Sequence, residues 1–145
     1  LRTTSTTTTE DSTDKRFLWN NYNRVRRHLW RTDATGHTYS STAVREWNGG
    51  TAMRCHFVLG DTTTINIDFA QLGYSSQLVT ATVDVVGDTN PHIFGNTVSP
   101  QTKFGIGLPS QTLAAGYRFV TISESAPTGG TQTFSEAYLH VEYMG

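Results

Sequence analysis

Cysteine is almost absent: Cys55 is the only one among 145 residues. A single thiol cannot crosslink a monomer or build a Cys-cluster metal site. Cys55 falls inside the alternation Met53, Cys55, Phe57, Leu59, so it reads as a small core residue. Lysine is scarce as well, limited to Lys15 and Lys103. No apolar run approaches the roughly 18 residues of a membrane-crossing helix. No signal-peptide pattern is visible, and a start at Leu1 in place of Met suggests processing or a longer parent chain. The spacings HExxH, CxxC and G-x-S-x-G do not occur, so the sequence offers no zinc-protease pair, redox dithiol or nucleophile elbow. Gly105-Ile106-Gly107 lacks a third glycine and a following helix. It reads as a strand that lets another backbone approach, not as a phosphate loop.

What is abundant is Thr and Ser, together 36 of 145 residues. Thr is β-branched and loses rotamer freedom in a helix, so this composition favours strands. The length fits one domain with a core of its own. Net charge is −1, unevenly spread. Lys15, Arg16, Arg24, Arg26, Arg27 and Arg31 fall in a stretch without Asp or Glu, whereas from residue 55 onward Lys103 and Arg118 face seven acids. Such asymmetry marks either a surface for an acidic partner or a basic segment that packs on the acidic body of its own or a neighbouring subunit.

Residues 1–14 are polar, Thr-rich and of low complexity, which fits an arm or linker. Between residues 15 and 31, Leu18, Tyr22, Val25 and Leu29 share a helical face, yet Asn20, Asn21 and Asn23 disfavour a helix. The expectation is a turn or short helical start over Leu18–Asn23 and then a strand. Strands are expected at Thr38–Trp47, closed by Asn48-Gly49-Gly50, and then at Ala52–Leu59, Thr63–Leu72 and Leu78–Val86. Residues 88–101 read as a loop. Further strands are expected at Lys103–Leu108, Gly116–Ser123 and Phe134–Met144. Short strands with turn signals between them predict an all-β, antiparallel sandwich of jelly-roll type. The division is an extended arm over 1–31 and a sandwich over 32–145.

The chemistry-bearing residues form no local motif. His28, His37, His56, His92 and His140 are scattered. Asp68, Asp84, Glu124 and Glu142 lie in or beside expected strands and read as solvent-face charges. Trp19, Tyr22, Trp30 and Trp47 interleave with arginines. That mixture suits a subunit interface, a sugar platform or base stacking, and the interface is favoured because it needs no ligand. The interface residues expected are Trp19, Tyr22, Arg24, Arg26, Arg27, Trp30 and Arg31. Tyr74 and His92 are candidate glycan contacts.

The front third resembles small virion proteins of tailed bacteriophages. The resemblance rests on Glu10-Asp11-Ser12 after a Thr-rich lead, on Leu18-Trp19-Asn20-Asn21-Tyr22-Asn23-Arg24-Val25, on Tyr39–Ala43 and on Asn48-Gly49. Phe104–Leu108 and Tyr117–Tyr143 occupy places that correspond to a Gly-x-Gly-Leu/Ile element and a final antiparallel pair in those proteins. Residues 2–50 carry the specific part. The chain departs at Arg27-His28, where such proteins often have Pro. The resemblance implies a virion surface component, fibre-like or tail-associated, and transfers no catalytic residues. The expectation is therefore a non-enzymatic virion module without cofactor or metal. It would form a homo-oligomer, a trimer first, and contact other virion proteins. A host-surface glycan is a further candidate partner, loops 87–101 and 125–132 being the expected contacts. The alternatives are a capsid protein whose basic arm touches nucleic acid, and a lectin-like module. No membrane partner is expected.

Overall fold

The structure is a computed structural model and describes residues 13–16, 24–74, 77–84, 93–96, 102–107, 110–126 and 128–145. The described strands are β1 (Lys15–Arg16), β2 (Arg26–Asp33), β3 (His37–Tyr39), β4 (Arg45–Glu46), β5 (Cys55–Leu59), β6 (Thr63–Tyr74), β7 (Gln77–Val83), β8 (Ile93–Asn96), β9 (Thr102–Gly107), β10 (Gln111–Leu113), β11 (Gly116–Ser125) and β12 (Gln132–Met144). Alternation sets which side chains turn inward. Cys55, Phe57 and Leu59 of β5, Ile65, Ile67 and Phe69 of β6, and Leu139, Val141 and Tyr143 of β12 are all buried. The residues between them in β6 (Thr64, Asn66 and Asp68) face solvent. A side-chain period of two gives each strand one apolar face, and two such faces must meet to leave water.

The strands form two sheets. One runs β1-β5-β11-β7-β8, with β4 also paired to β11; the other runs β10-β6-β12-β2, with β3 paired to β12 and β9 to β6. Short neighbours share one edge of a long strand, so β4 and β5 fill one position, β2 and β3 another, and β9 and β10 a third. In chain order the sheets are then visited alternately, apart from β7 and β8, which pair side by side. This strand order is that of a jelly roll. Apart from β1, which is parallel to β5, the pairings are antiparallel. The core between the sheets gathers Leu29, Trp47, Met53, Phe57, Ile67, Phe69, Ile122, Phe134 and Leu139. Cys55 belongs to it, and burial pushes its thiol pKa up to about 12. That is the behaviour of a core hydrophobe, since the thiolate is the reactive form.

Several expectations are corrected. The boundary between arm and body does not fall at residue 31, because β2 begins at Arg26 and pairs with β12 from Met144 to Ala137. Thr38–Trp47 is not one strand. The chain leaves β3, crosses between sheets and enters β4 in the other. Ser41 holds that crossing: its hydroxyl accepts the Ala43 N–H at 3.1 Å and its carbonyl accepts the Ala126 N–H at 2.9 Å. A side-chain turn of this kind competes with ladder bonding. The expected loop 88–101 contains β8, and β10 was not expected. Leu18–Asn23 and the rest of 88–101 lie outside the described residues, as do residues 1–12. Asn48 and Gly49 have φ of 54° and 66°, as the turn signal there requires.

Glu124 is the largest correction. It follows Val120 and Ile122 on the inward face of β11 and is fully buried. It accepts from Arg45 Nε at 2.8 Å, and His37 Nε2 lies 2.6 Å from its second oxygen. The His37 ring stacks on Phe134 at 5.2 Å and meets Trp47 edge-on at 5.0 Å, while Trp47 Nε1 donates to Asp33 at 3.0 Å. Removing one partner from a buried ion pair strands the other charge. We therefore expect Glu124→Ala to lower unfolding free energy by about 3–5 kcal/mol. Asp68→Ala, on an exposed carboxylate, should cost less than about 1 kcal/mol. Urea denaturation of both variants checks the contrast.

Candidate binding surface

The basic segment is turned largely onto its own body. Arg24 pairs with Asp61, Arg31 with Asp14, and Arg26 with Glu142 at 3.1 Å. The backbone reinforces this closure. The Thr13 carbonyl accepts from Trp30 N–H on β2, and the Asp14 carbonyl accepts from His56 N–H on β5, both at 2.8 Å. Thr13–Arg16 thus links the edge strands of the two sheets, which protects edges that would otherwise be open.

Of the residues singled out in the sequence, Arg24, Arg26, Arg27, Trp30 and Arg31 therefore lie on or beside β2. Trp19, Tyr22 and His92 lie outside the described residues. Tyr74 ends β6 opposite Thr133, whereas Arg26–Trp30 pair with His140–Met144, at the other end of β12. The structure does not bring Tyr74 and the arginines together. Trp47 is not a surface residue at all but part of the core.

On the outward face of the second sheet, the register places Trp30 beside His140 and His140 beside Asp68. The next row places His28 beside Glu142 and Glu142 beside Asn66. The His28 and His140 rings stack at 5.3 Å. His140 Nδ1 faces Asp68 at 3.2 Å, and its Nε2 lies 3.1 Å from His28 Nδ1. A carboxylate only accepts, so His140 Nδ1 is the donor to Asp68. Asn66 Nδ2 donates to Glu142 at 3.4 Å, and Asn66 Oδ1 accepts from the Ser110 hydroxyl at 2.7 Å. Trp30 is 47% exposed and Tyr138, one row further along the same face, 38%. An open hollow of about 290 Å³ lies along β2, lined among the described residues by Arg26, Arg27, His28 and Trp30. Arg27 Nε is buried and has no hydrogen-bond partner.

Sequence reasoning missed Tyr138 and the pairing of His28 with His140. Parity along β2 and β12 puts each on an outward face, but only the register between the strands brings them together. A search among the described residues finds no group of three or more His, Cys, Asp or Glu that could hold a metal ion. No helix among them is long and apolar enough to cross a membrane.

No protein-family model matches the chain, and no curated protein matches it. Among solved structures, dimeric latent PorU from Porphyromonas gingivalis is similar, with a TM-score of 0.55 and 7% identity over 84% of this chain. The chain spans 13% of that protein's length. At this identity the likeness concerns the fold alone.

The first sheet carries a second aromatic cluster. His56 contacts the Tyr117 hydroxyl and stacks on its ring at 5.9 Å, and the Arg54 guanidinium lies 4.6 Å from the centre of the Phe119 ring. Burial, then the charges of Lys15 and Arg54, hold the His56 pKa below its ordinary value. The folded state thus favours neutral His56. Its contribution to stability is complete above the unfolded pKa of about 6.5 and is lost as pH falls from there through the lower folded value. Stability should fall from pH 7 to pH 5 less steeply in His56→Gln than in the wild type. Urea unfolding at both pH values measures the difference.

Proposed function

We propose that this chain is a non-enzymatic structural module of a tailed-phage particle, fibre-like or decorating, which assembles with copies of itself and meets the host surface. The strand order is the observation that carries the reading. Jelly rolls serve as shell subunits and as sugar-binding modules, and in both the work is done by surface contacts. A fold alone does not fix a function. The likeness of residues 2–50 to small phage virion proteins turns the choice toward the particle.

The charge arrangement argues against the nucleic-acid alternative. A phosphate-binding arm needs cations free to displace counterions. Here Arg24, Arg26 and Arg31 have carboxylate partners within the chain. The exposed Trp30 and Tyr138 instead offer anchors of the kind that interfaces and glycan sites use. Assembly on a virion requires self-association, and a trimer is the state this reading expects. Light scattering should give three times the 16.0 kDa chain mass at micromolar concentration. A monomer at that concentration would overturn the assembly reading.

A further inference from the structure

We propose that His56 is an acid-sensitive latch: while neutral it lets Thr13–Arg16 lie across the edges of the two sheets, and once protonated it drives that strap off. The placement of the strap comes first. β1 is two residues long and runs parallel to β5, with Lys15 opposite His56 and Arg16 opposite Phe57. His56 itself seats the strap on β5, its N–H donating to the Asp14 carbonyl at 2.8 Å. The companion bond, from the Trp30 N–H to the Thr13 carbonyl, seats it on β2. An element this short, with so little ladder of its own, opens at low free energy compared with the long strands of the core.

The charges around the half-buried ring decide what protonation does. Lys15 on β1, Arg31 on β2 and Arg54 just before β5 all bear on His56 with the sign that opposes a proton, and Asp14 with the sign that favours one. Asp14 is itself paired with Arg31, and Glu46 is engaged by Arg54. Tyr117, from β11, meets the ring through its hydroxyl. A hydroxyl donates to a neutral imidazole and accepts from a protonated one, so it does not resist the change. Histidine is the side chain whose charge ordinarily changes between pH 5 and pH 8. Charging His56 therefore adds a cation beside three others, at a place partly removed from water, where like charges repel more strongly than in solvent. Arg31 and Arg54 are anchored in the body, whereas Lys15 sits on the two-residue strand and leaves with it. With the strap seated, burial and these cations hold the His56 pKa below its ordinary value. With the strap gone, the ring gains water and loses Lys15, so the pKa rises. Opening therefore becomes easier as pH falls below about 6.5. It uncovers backbone edges of β2 and β5, at which another strand can pair.

Hydrogen exchange of the intact protein at pH 7 and pH 5, with each rate compared with its intrinsic value at that pH, tests the latch through the Trp30 amide. Its protection should fall by roughly threefold or more on acidification, while amides of the β6–β12 ladder keep theirs. His56→Gln, neutral at both pH values, should hold Trp30 protection constant. His56→Lys, charged at both, should show at pH 7 the reduced protection that the wild type reaches at pH 5. If the Lys variant does not fold, the Gln variant decides the matter. Unchanged Trp30 protection in the wild type would overturn the latch. So would an equal loss in His56→Gln, which would assign the release to another group such as Asp14 or His28. Loss of protection through both sheets at once would overturn it in favour of global unfolding.

Discussion

The buried Glu124 carboxylate ties the two sheets together where the chain crosses between them. It sits on β11 in one sheet, accepts from Arg45 on β4 of that sheet, and meets His37 on β3 of the other. A charge with no access to water is tolerable only if both oxygens are answered, and here they are. The consequence is positional. His37 is held flat against Phe134 and edge-on to Trp47, so the large rings at this end of the core have one arrangement. Arg45 also covers the Tyr39 ring, with its guanidinium 3.8 Å from the centre. Glu46, beside Arg45, accepts from Arg54 Nε and Nη2 and from the Thr121 hydroxyl. These carboxylates fix short strands that would otherwise have little to hold them.

With that end closed, β12 can run its full length as the centre of the second sheet. It pairs with β6 along one edge and with β3 and then β2 along the other. A register shift between Phe134 and Glu136 marks a bulge, which re-aims the side chains of the strand. Beyond it, Tyr138, His140 and Glu142 all turn outward. The surface around Trp30 is therefore a product of how β12 is threaded. The edge at β2 is kept from open-ended pairing by Thr13–Arg16 and by arginines that find carboxylates within the chain.

Much of this was legible in the sequence. Alternating residues marked β5, β6, β11 and β12, and the Asn48-Gly49 signal marked the turn before β5. Cys55 was legible as core from its neighbours. The buried Glu124 was not, because a carboxylate in a strand reads as a solvent-face charge unless its partners are known. Those partners, His37 and Arg45, are distant in sequence. The Ser41 crossing was hidden for a related reason: the Thr, Tyr and Val around it suit strands by propensity, and only the side-chain turn shows that the ladder is interrupted. The outer face around Trp30 was half legible. Trp30 and the arginines stood out by composition, whereas Tyr138, His140 and Asp68 join them only through register.

The account therefore makes the ends of the two sheets one cooperative unit, held through Glu124. Native-state hydrogen exchange across a denaturant series measures this directly. The account predicts that the protected amides of β3 and β4, which belong to different sheets, open together with the same free energy and the same denaturant dependence. Independent opening of β3 and β4 would contradict it.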